Sequence, residues 1–116
     1  MLSLSQPVLP GGTNLSGGQR QVVALARALV TGCPVLLLDE PVAGMGPEER
    51  EQMIETVHAL WKKGGLTVVL IEHDMDIALA MADRVTVMHQ GAVILDGTAN
   101  DAREDQRVKE VYFGQI

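Results

Sequence analysis

The 116-residue chain has the length and composition of one small globular domain or of part of a larger one, since 47% of its residues are hydrophobic and only three are aromatic. Its formal net charge of −6 disfavours a nucleic-acid-binding protein, and its single cysteine excludes an internal disulfide framework. No apolar run approaches the ~18 residues that a membrane-spanning helix needs. Residues 1–10 lack the basic and apolar regions of a signal peptide, so the sequence predicts a cytoplasmic protein.

The first part of the chain is predicted to be an irregular segment followed by a helix. Residues 1–14 contain two prolines and two glycines and show no hydrophobic periodicity. A helix is predicted from Ser16 to about Val30, because apolar residues recur there at helical spacing. Ser16 suits the N-cap position, and Gln19, three residues later, has the spacing of a capping box.

A β-α-β unit is predicted next. Residues 35–38 form an unbroken apolar run, which is typical of a strand buried on both faces, and residues 67–71 are predicted to be a second such strand. The helix between them is predicted over residues 47–63. Its inward-facing side chains are predicted to be Met53, Ile54, Val57, Leu60 and Trp61. The unit predicts two parallel strands with a right-handed crossover, and therefore an α/β protein.

The rest of the chain is predicted to contain a short helix, a hairpin and a helical tail. The helix covers about residues 75–82. The hairpin strands, 84–89 and 92–96, are joined by Gln90 and Gly91, a reasonable two-residue turn. The polar tail at about 98–112 has helical character.

The segment LSGGQ, from Leu15 to Gln19, opens the first predicted helix. Its two glycines let backbone N–H groups approach an anion closely, and the helix dipole adds partial positive charge there. The serine hydroxyl and the glutamine amide can add hydrogen bonds to phosphate oxygens. The segment therefore predicts an anion-binding turn, with an ordinary helix cap as the alternative.

Further chemistry-bearing residues follow the two predicted strands. Asp39 and Glu40 come directly after the first strand, and His73 lies just past the end of the second. Ligands of open α/β sheets bind beyond the carboxyl ends of the strands. Asp39 is therefore a candidate Mg²⁺ ligand, Glu40 a candidate base for an attacking water, and His73 a candidate donor to a phosphate. A solvated acidic turn and a structural histidine are the alternatives.

The three motifs together resemble those of a known family. LSGGQRQ, VLLLDEP and VVLIEHDM are similar in order and spacing to the signature motif, the Walker B strand and the switch-histidine loop of ABC transporter ATP-binding subunits. The resemblance implies an α/β fold with an incomplete P-loop NTPase-type (RecA-like) parallel sheet and flanking helices, in which residues 15–116 form the C-terminal part of an ABC ATPase domain. DEPVAGM, HQGAVILDGT and VKEVYFG resemble the branch that imports branched-chain amino acids or urea.

The resemblance also implies ligands, roles and partners. ATP and Mg²⁺ are the expected ligands, with Asp39 helping to coordinate Mg²⁺, Glu40 as general base and His73 contacting the γ-phosphate. The residues expected to bind ATP held by the second ATPase subunit of a head-to-tail dimer are Leu15, Ser16, Gly17, Gly18 and Gln19. The transmembrane permease subunits are the other implied partner, with a periplasmic or extracellular solute-binding protein reached indirectly. Through the permease, the subunit would lie on the inner face of the cell membrane.

The sequence departs from the family pattern in three ways. It contains no G-x-x-x-x-G-K-[ST] phosphate loop, and residues 1–14 do not resemble the family's glutamine loop. Gly46 stands where the loop after Walker B commonly ends in an acid or an amide. The 116 residues are therefore expected to be a fragment that is inactive alone. A non-enzymatic remnant or pairing module is the alternative, as is a fragment of an ABC-type DNA-repair ATPase, which the acidic balance and the absence of sustained heptads disfavour.

Overall fold

The computed structural model describes residues 9–114. After a 3-10 turn at Pro10–Gly12, the elements follow in the order α1 (Gly17–Val30), β1 (Val35–Asp39), α2 (Pro47–Lys62), β2 (Thr67–Ile71), α3 (Met75–Met81), β3 (Val85–His89), β4 (Ala92–Gly97), α4 (Ala99–Glu104) and α5 (Gln106–Tyr112). The part of the predicted irregular segment at residues 1–8 lies outside the described residues.

The chain divides into two compact units, one extending to Val69 and one beginning at Leu70. In the first unit, α1 begins with the predicted capping box. The Ser16 Oγ accepts a hydrogen bond from the backbone N–H of Gln19 at 3.1 Å, and the Gln19 Oε1 accepts one from the N–H of Ser16 at 3.0 Å. These two bonds satisfy donors that a helix start otherwise leaves without partners.

Strands β1 and β2 pair in a two-stranded sheet, and the backbone N–H of Thr67 donates to the Pro34 carbonyl at 2.8 Å. The prediction that both strands are buried on both faces was wrong. Leu36 is buried, whereas its neighbours Val35 and Leu37 are 55% and 64% exposed, and β2 alternates between exposed and half-buried residues. Successive side chains of a strand point to opposite faces, and the described residues cover only one face of β1.

Helix α2 begins at Pro47. A backbone N–H at the first helical position would have no partner within the helix, so proline, which has no N–H, is well suited to it. It buries Met53 and Val57, and it packs against α1. The predicted inward position of Trp61 was wrong, because this side chain is 40% exposed. Its ring instead stacks on that of His58, with the two ring centroids 5.8 Å apart. The two residues lie three positions apart on the same side of the helix, where side chains meet.

In the second unit, β3 and β4 form the predicted antiparallel hairpin. Gln90 and Gly91 both have positive φ, 50° and 79°, which is the conformation of a type I′ turn. The predicted helical tail consists of two short helices, since the chain leaves helical conformation at Asp105, and this carboxylate caps α5. The core cluster of this unit consists of Met75, Leu79, Val85, Val87, Ala102 and Val108.

None of the helices between residues 9 and 114 has the length and apolar character that crossing a membrane requires.

Candidate functional site

The segment from Leu15 to Gln19 forms a tight turn that leads into α1. Leu15 is buried, at 7% exposure, and its backbone N–H donates to the carbonyl of Gly12. The Arg20 Nε donates to the same carbonyl at 3.0 Å. The turn is therefore held from both ends, by a buried apolar anchor before Ser16 and by a side chain from the first turn of the helix.

The hydrogen bonds of this turn leave donors available for an anion. In the capping box, the Ser16 hydroxyl and the Gln19 side chain both act as acceptors. The hydroxyl proton of Ser16 and the amide protons of Gln19 are donors that the box does not use. The backbone N–H groups of Gly17 and Gly18 occupy the first two helical positions, which have no carbonyl partner within a helix. The turn thus combines donors with the positive end of the helix dipole, as phosphate binding requires.

The two glycines of the turn have different surroundings. A Cβ atom at Gly17 would have no heavy atom within 4 Å outside its own chain neighbours and helix backbone. A Cβ atom at Gly18 would overlap the carboxylate of Glu49, which belongs to the first turn of α2. Gly18 therefore allows two helix starts to approach each other, whereas Gly17 faces open space and is accessible to a ligand or a partner.

The two acids lie where β1 ends. Asp39 is its last residue and is exposed, and Glu40 is half-buried. Pro41 and Val42 are buried directly after them, so the loop is anchored close to the acids. The carbonyl of Glu40 accepts a hydrogen bond from the N–H of Ala43 at 3.1 Å, which closes a turn.

The backbone of Glu40 adopts an uncommon conformation, with a φ of 46°. The left-handed region costs a non-glycine residue roughly 1–2 kcal/mol. Glutamate has no special tolerance for it, unlike asparagine or glycine. Residues held in such conformations cluster at functional sites, so the backbone singles out Glu40 within its loop.

Asp39 offers the donor chemistry of a Mg²⁺ ligand, an exposed carboxylate at the end of β1. Within residues 9–114 no three His, Cys, Asp or Glu side chains are grouped so that they could hold an ion by themselves. Mg²⁺ is usually bound through one or two carboxylates together with phosphate oxygens and water. The exposed carboxylate of Asp39 at the end of a strand is suited to such a site.

His73 lies between β2 and α3, in the second unit, and its side chain is 75% exposed. The next residue, Asp74, caps α3 by accepting hydrogen bonds from the N–H groups of Asp76 and Ile77 at 3.1 and 3.4 Å. The preceding residue, Glu72, accepts hydrogen bonds from the N–H groups of His73 and Asp74 through its Oε1. The imidazole is thus presented to solvent by a loop that is hydrogen-bonded on both sides.

The candidate residues occupy three places in the chain. The turn formed by residues 15–19, called here the signature turn, and the pair Asp39–Glu40 belong to the first unit, and His73 belongs to the second.

Two acids that lie beside these candidate residues were not predicted from the sequence to be part of the site. Glu49 lies against Gly18, and Glu72 holds the backbone at His73. No spacing rule signals either, because each depends on where the chain brings the carboxylate.

The chain is similar to proteins of one family. Residues 3–43 match the sequence model of the ABC transporter family. The chain is 43% identical to the phosphonates import ATP-binding protein PhnC of Maricaulis maris, over 86% of the chain and 38% of that protein. It is 35% identical to the high-affinity branched-chain amino acid transport ATP-binding protein LivG of Salmonella typhimurium, over 89% of the chain and 40% of that protein.

The fold is similar to that of solved ATP-binding cassettes. The crystal structure of the ADP conformation of MJ1267, an ATP-binding cassette of an ABC transporter, superposes with a TM-score of 0.76 at 35% identity. The match covers 90% of this chain and 42% of that cassette. The chain therefore spans about two fifths of the proteins it matches. Its sequence is similar to those of ATP-binding proteins of ABC transporters, and it has the α/β fold of their P-loop NTPase cassettes.

Proposed function

We propose that the chain is the C-terminal part, residues 15–116, of a subunit that binds and hydrolyses ATP to drive an ABC importer. The observation that carries this proposal is the start of α1, where the capping box uses acceptor atoms and leaves the donors of Ser16, Gly17 and Gln19 for phosphate. The backbone conformation of Glu40, directly after a strand end, supports a second functional position in the same unit.

In this proposal the residues after β1 act on a water molecule and on the nucleotide's metal. Glu40 accepts the proton of the attacking water, and Asp39 binds Mg²⁺, directly or through water. A Mg²⁺ ion bound by Asp39 would neutralise charge on the phosphate oxygens. His73 donates a hydrogen bond to the γ-phosphate. Asp39 and Glu40 would act on the subunit's own nucleotide.

The signature turn would act on another nucleotide, which a second ATPase subunit holds in a head-to-tail dimer. Gly17 faces open space, as a residue that approaches a partner's nucleotide must. The subunit would pair with transmembrane permease subunits and, through them, with a solute-binding protein outside the membrane. It would then lie on the inner face of the cell membrane.

For the solute, we propose branched-chain amino acids or a related amide such as urea. The similarity to LivG and the segment DEPVAGM support this choice. The similarity to PhnC, at 43% identity, favours a second candidate, the phosphonates. A transport assay with the cognate permease and both solutes separates the two candidates.

The 116 residues alone are expected to hydrolyse no ATP, because they contain no phosphate loop with its lysine to hold the β- and γ-phosphates. A Mg²⁺-dependent ATPase assay on the purified chain measures this. The complete subunit is defined here as the same residues joined in frame to an N-terminal part that carries the loop. This complete subunit should turn over ATP.

Turnover by the 116 residues alone at the rates of ordinary enzymes, roughly 1–10 s⁻¹, would contradict the prediction that hydrolysis requires the phosphate loop. An inactive complete subunit would favour the non-enzymatic alternative, a remnant or a pairing module. The DNA directly upstream offers a rapid check, since a phosphate-loop sequence in frame supports the enzyme.

A further inference from the structure

Glu72 is a buried acid beside an exposed histidine. Its side chain is only 3% exposed, whereas that of His73 is 75% exposed. Glutamate is almost never fully buried unless its charge is paired. A buried carboxylate at the end of β2 therefore calls for an explanation, which the roles of Asp39, Glu40 and His73 do not provide.

One oxygen of this carboxylate holds the loop. The Glu72 Oε1 accepts the backbone N–H of His73 at 3.0 Å and that of Asp74 at 3.2 Å. The His73 Nδ1 lies 3.7 Å from the same oxygen. Hydrogen bonds to an ionised acceptor are about twice as strong as neutral ones. Because the next residue, Asp74, also caps α3, the backbone that carries the imidazole is restrained both before and after it.

The other oxygen has no donor in the part of the chain that the structure describes. The Glu72 Oε2 is buried, and no hydrogen-bond partner for it exists among residues 9–114. Nearly all buried polar atoms in folded proteins have a partner, and an exception marks a strained group or a place for a further donor. The two oxygens of one carboxylate thus differ: one accepts two backbone N–H groups of the loop, and the other has no protein donor among residues 9–114.

We propose that Glu72 is a positioning residue for His73, with one function for each oxygen. Through Oε1 it fixes the loop backbone, and through Oε2 it accepts a hydrogen bond from an N–H or O–H donor that arrives when the ATP site is assembled. The donor thereby links assembly of the site to the position of the imidazole. The second function rests on the proposed ATPase activity, and the first does not.

Amide hydrogen exchange in the 116-residue chain tests the first function. In Glu72→Ala, the N–H groups of His73 and Asp74 should exchange about 10- to 100-fold faster, as expected when a charge-assisted bond is lost. Glu72→Gln keeps a side-chain carbonyl, so its rates should stay within a few-fold of the original. Glu110→Ala, at an exposed glutamate of α5, is the matched control and should change neither amide.

Three outcomes would overturn the first function. One is unchanged exchange of both amides in Glu72→Ala. Another is equal acceleration throughout α4 and α5, which would indicate a general loss of structure rather than a local restraint. The third is an unsubstituted chain whose loop amides show no protection, because the proposed bonds would then not restrain the loop.

Turnover by the complete subunit tests the second function. Glu72→Gln places an amide N–H₂ where Oε2 would accept a donor, so kcat should fall by about tenfold or more while the Kd for ATP stays unchanged. Equal kcat values for Glu72→Gln and the unsubstituted subunit would refute the role of Oε2. An unsubstituted subunit without any turnover would instead refute the proposed ATPase function, and the exchange measurement would still decide the role of Oε1.

Discussion

Replacing Glu40 by glutamine is expected to lower the ATP turnover of the complete subunit by about 10²- to 10⁴-fold, the usual contribution of a general base. The amide has nearly the size of the carboxylate but cannot accept the proton of the attacking water. ATP binding should be retained, because glutamine keeps nearly the shape of glutamate and the following residues, Pro41 and Val42, stay buried. Turnover and equilibrium ATP binding are measured on the same preparation.

Glu48→Gln provides the control for this substitution. Glu48 is an exposed acid in the first turn of α2, so the change removes the same charge from the same unit without touching the loop after β1. Its turnover should match that of the unsubstituted subunit. If Glu40→Gln were as active as Glu48→Gln, Glu40 could not be the base.

Replacing Gly17 by aspartate is expected to lower turnover of the assembled dimer by at least about tenfold, since a carboxylate would face the phosphates of the partner's nucleotide. The affinity of the isolated complete subunit for ATP should change little, because the signature turn would serve the other subunit. Steady-state turnover at a concentration where the dimer forms, and ATP binding at a concentration where it does not, provide the two readouts.

Gly17→Ala separates the charge from the size of the new side chain. No heavy atom beyond the local backbone lies within 4 Å of the position that its Cβ would occupy, so alanine should fit and reduce turnover less than aspartate. Gly18 would be a poor choice for this experiment, because a Cβ there meets Glu49. If Gly17→Asp abolished ATP binding by the isolated subunit, the turn would serve the chain's own nucleotide.

Features encoded over a few adjacent residues could be predicted from the sequence. The capping box of α1 depends on Ser16 and Gln19 alone, and the hairpin turn on Gln90 and Gly91, and the structure confirms both. Burial could not be predicted in the same way. Leu37 lies in an unbroken apolar run but is exposed, because burial depends on which other segments cover a face and not on the run itself.

The candidate site likewise has features that could be predicted from the sequence and features that could not. LSGGQ and the strand-ending acids were recognised because they are contiguous motifs, and their roles remain predictions. The positive φ of Glu40 could not be predicted, since glutamate has no preference for that conformation. Nor could the burial of Glu72, because an acid beside an exposed histidine is ordinarily solvated, and only the folded loop withdraws it from water.

Mixing two inactive variants tests the central claim most directly, namely that Glu40 serves the subunit's own nucleotide while the signature turn serves the partner's. In a mixed dimer of Glu40→Gln and Gly17→Asp complete subunits, one ATP site contains both substitutions and the other contains neither. We therefore predict that mixing the two variants restores turnover that each lacks alone. If both residues served the same subunit's nucleotide, each site would carry one defect, and a mixture as inactive as its components would contradict the account.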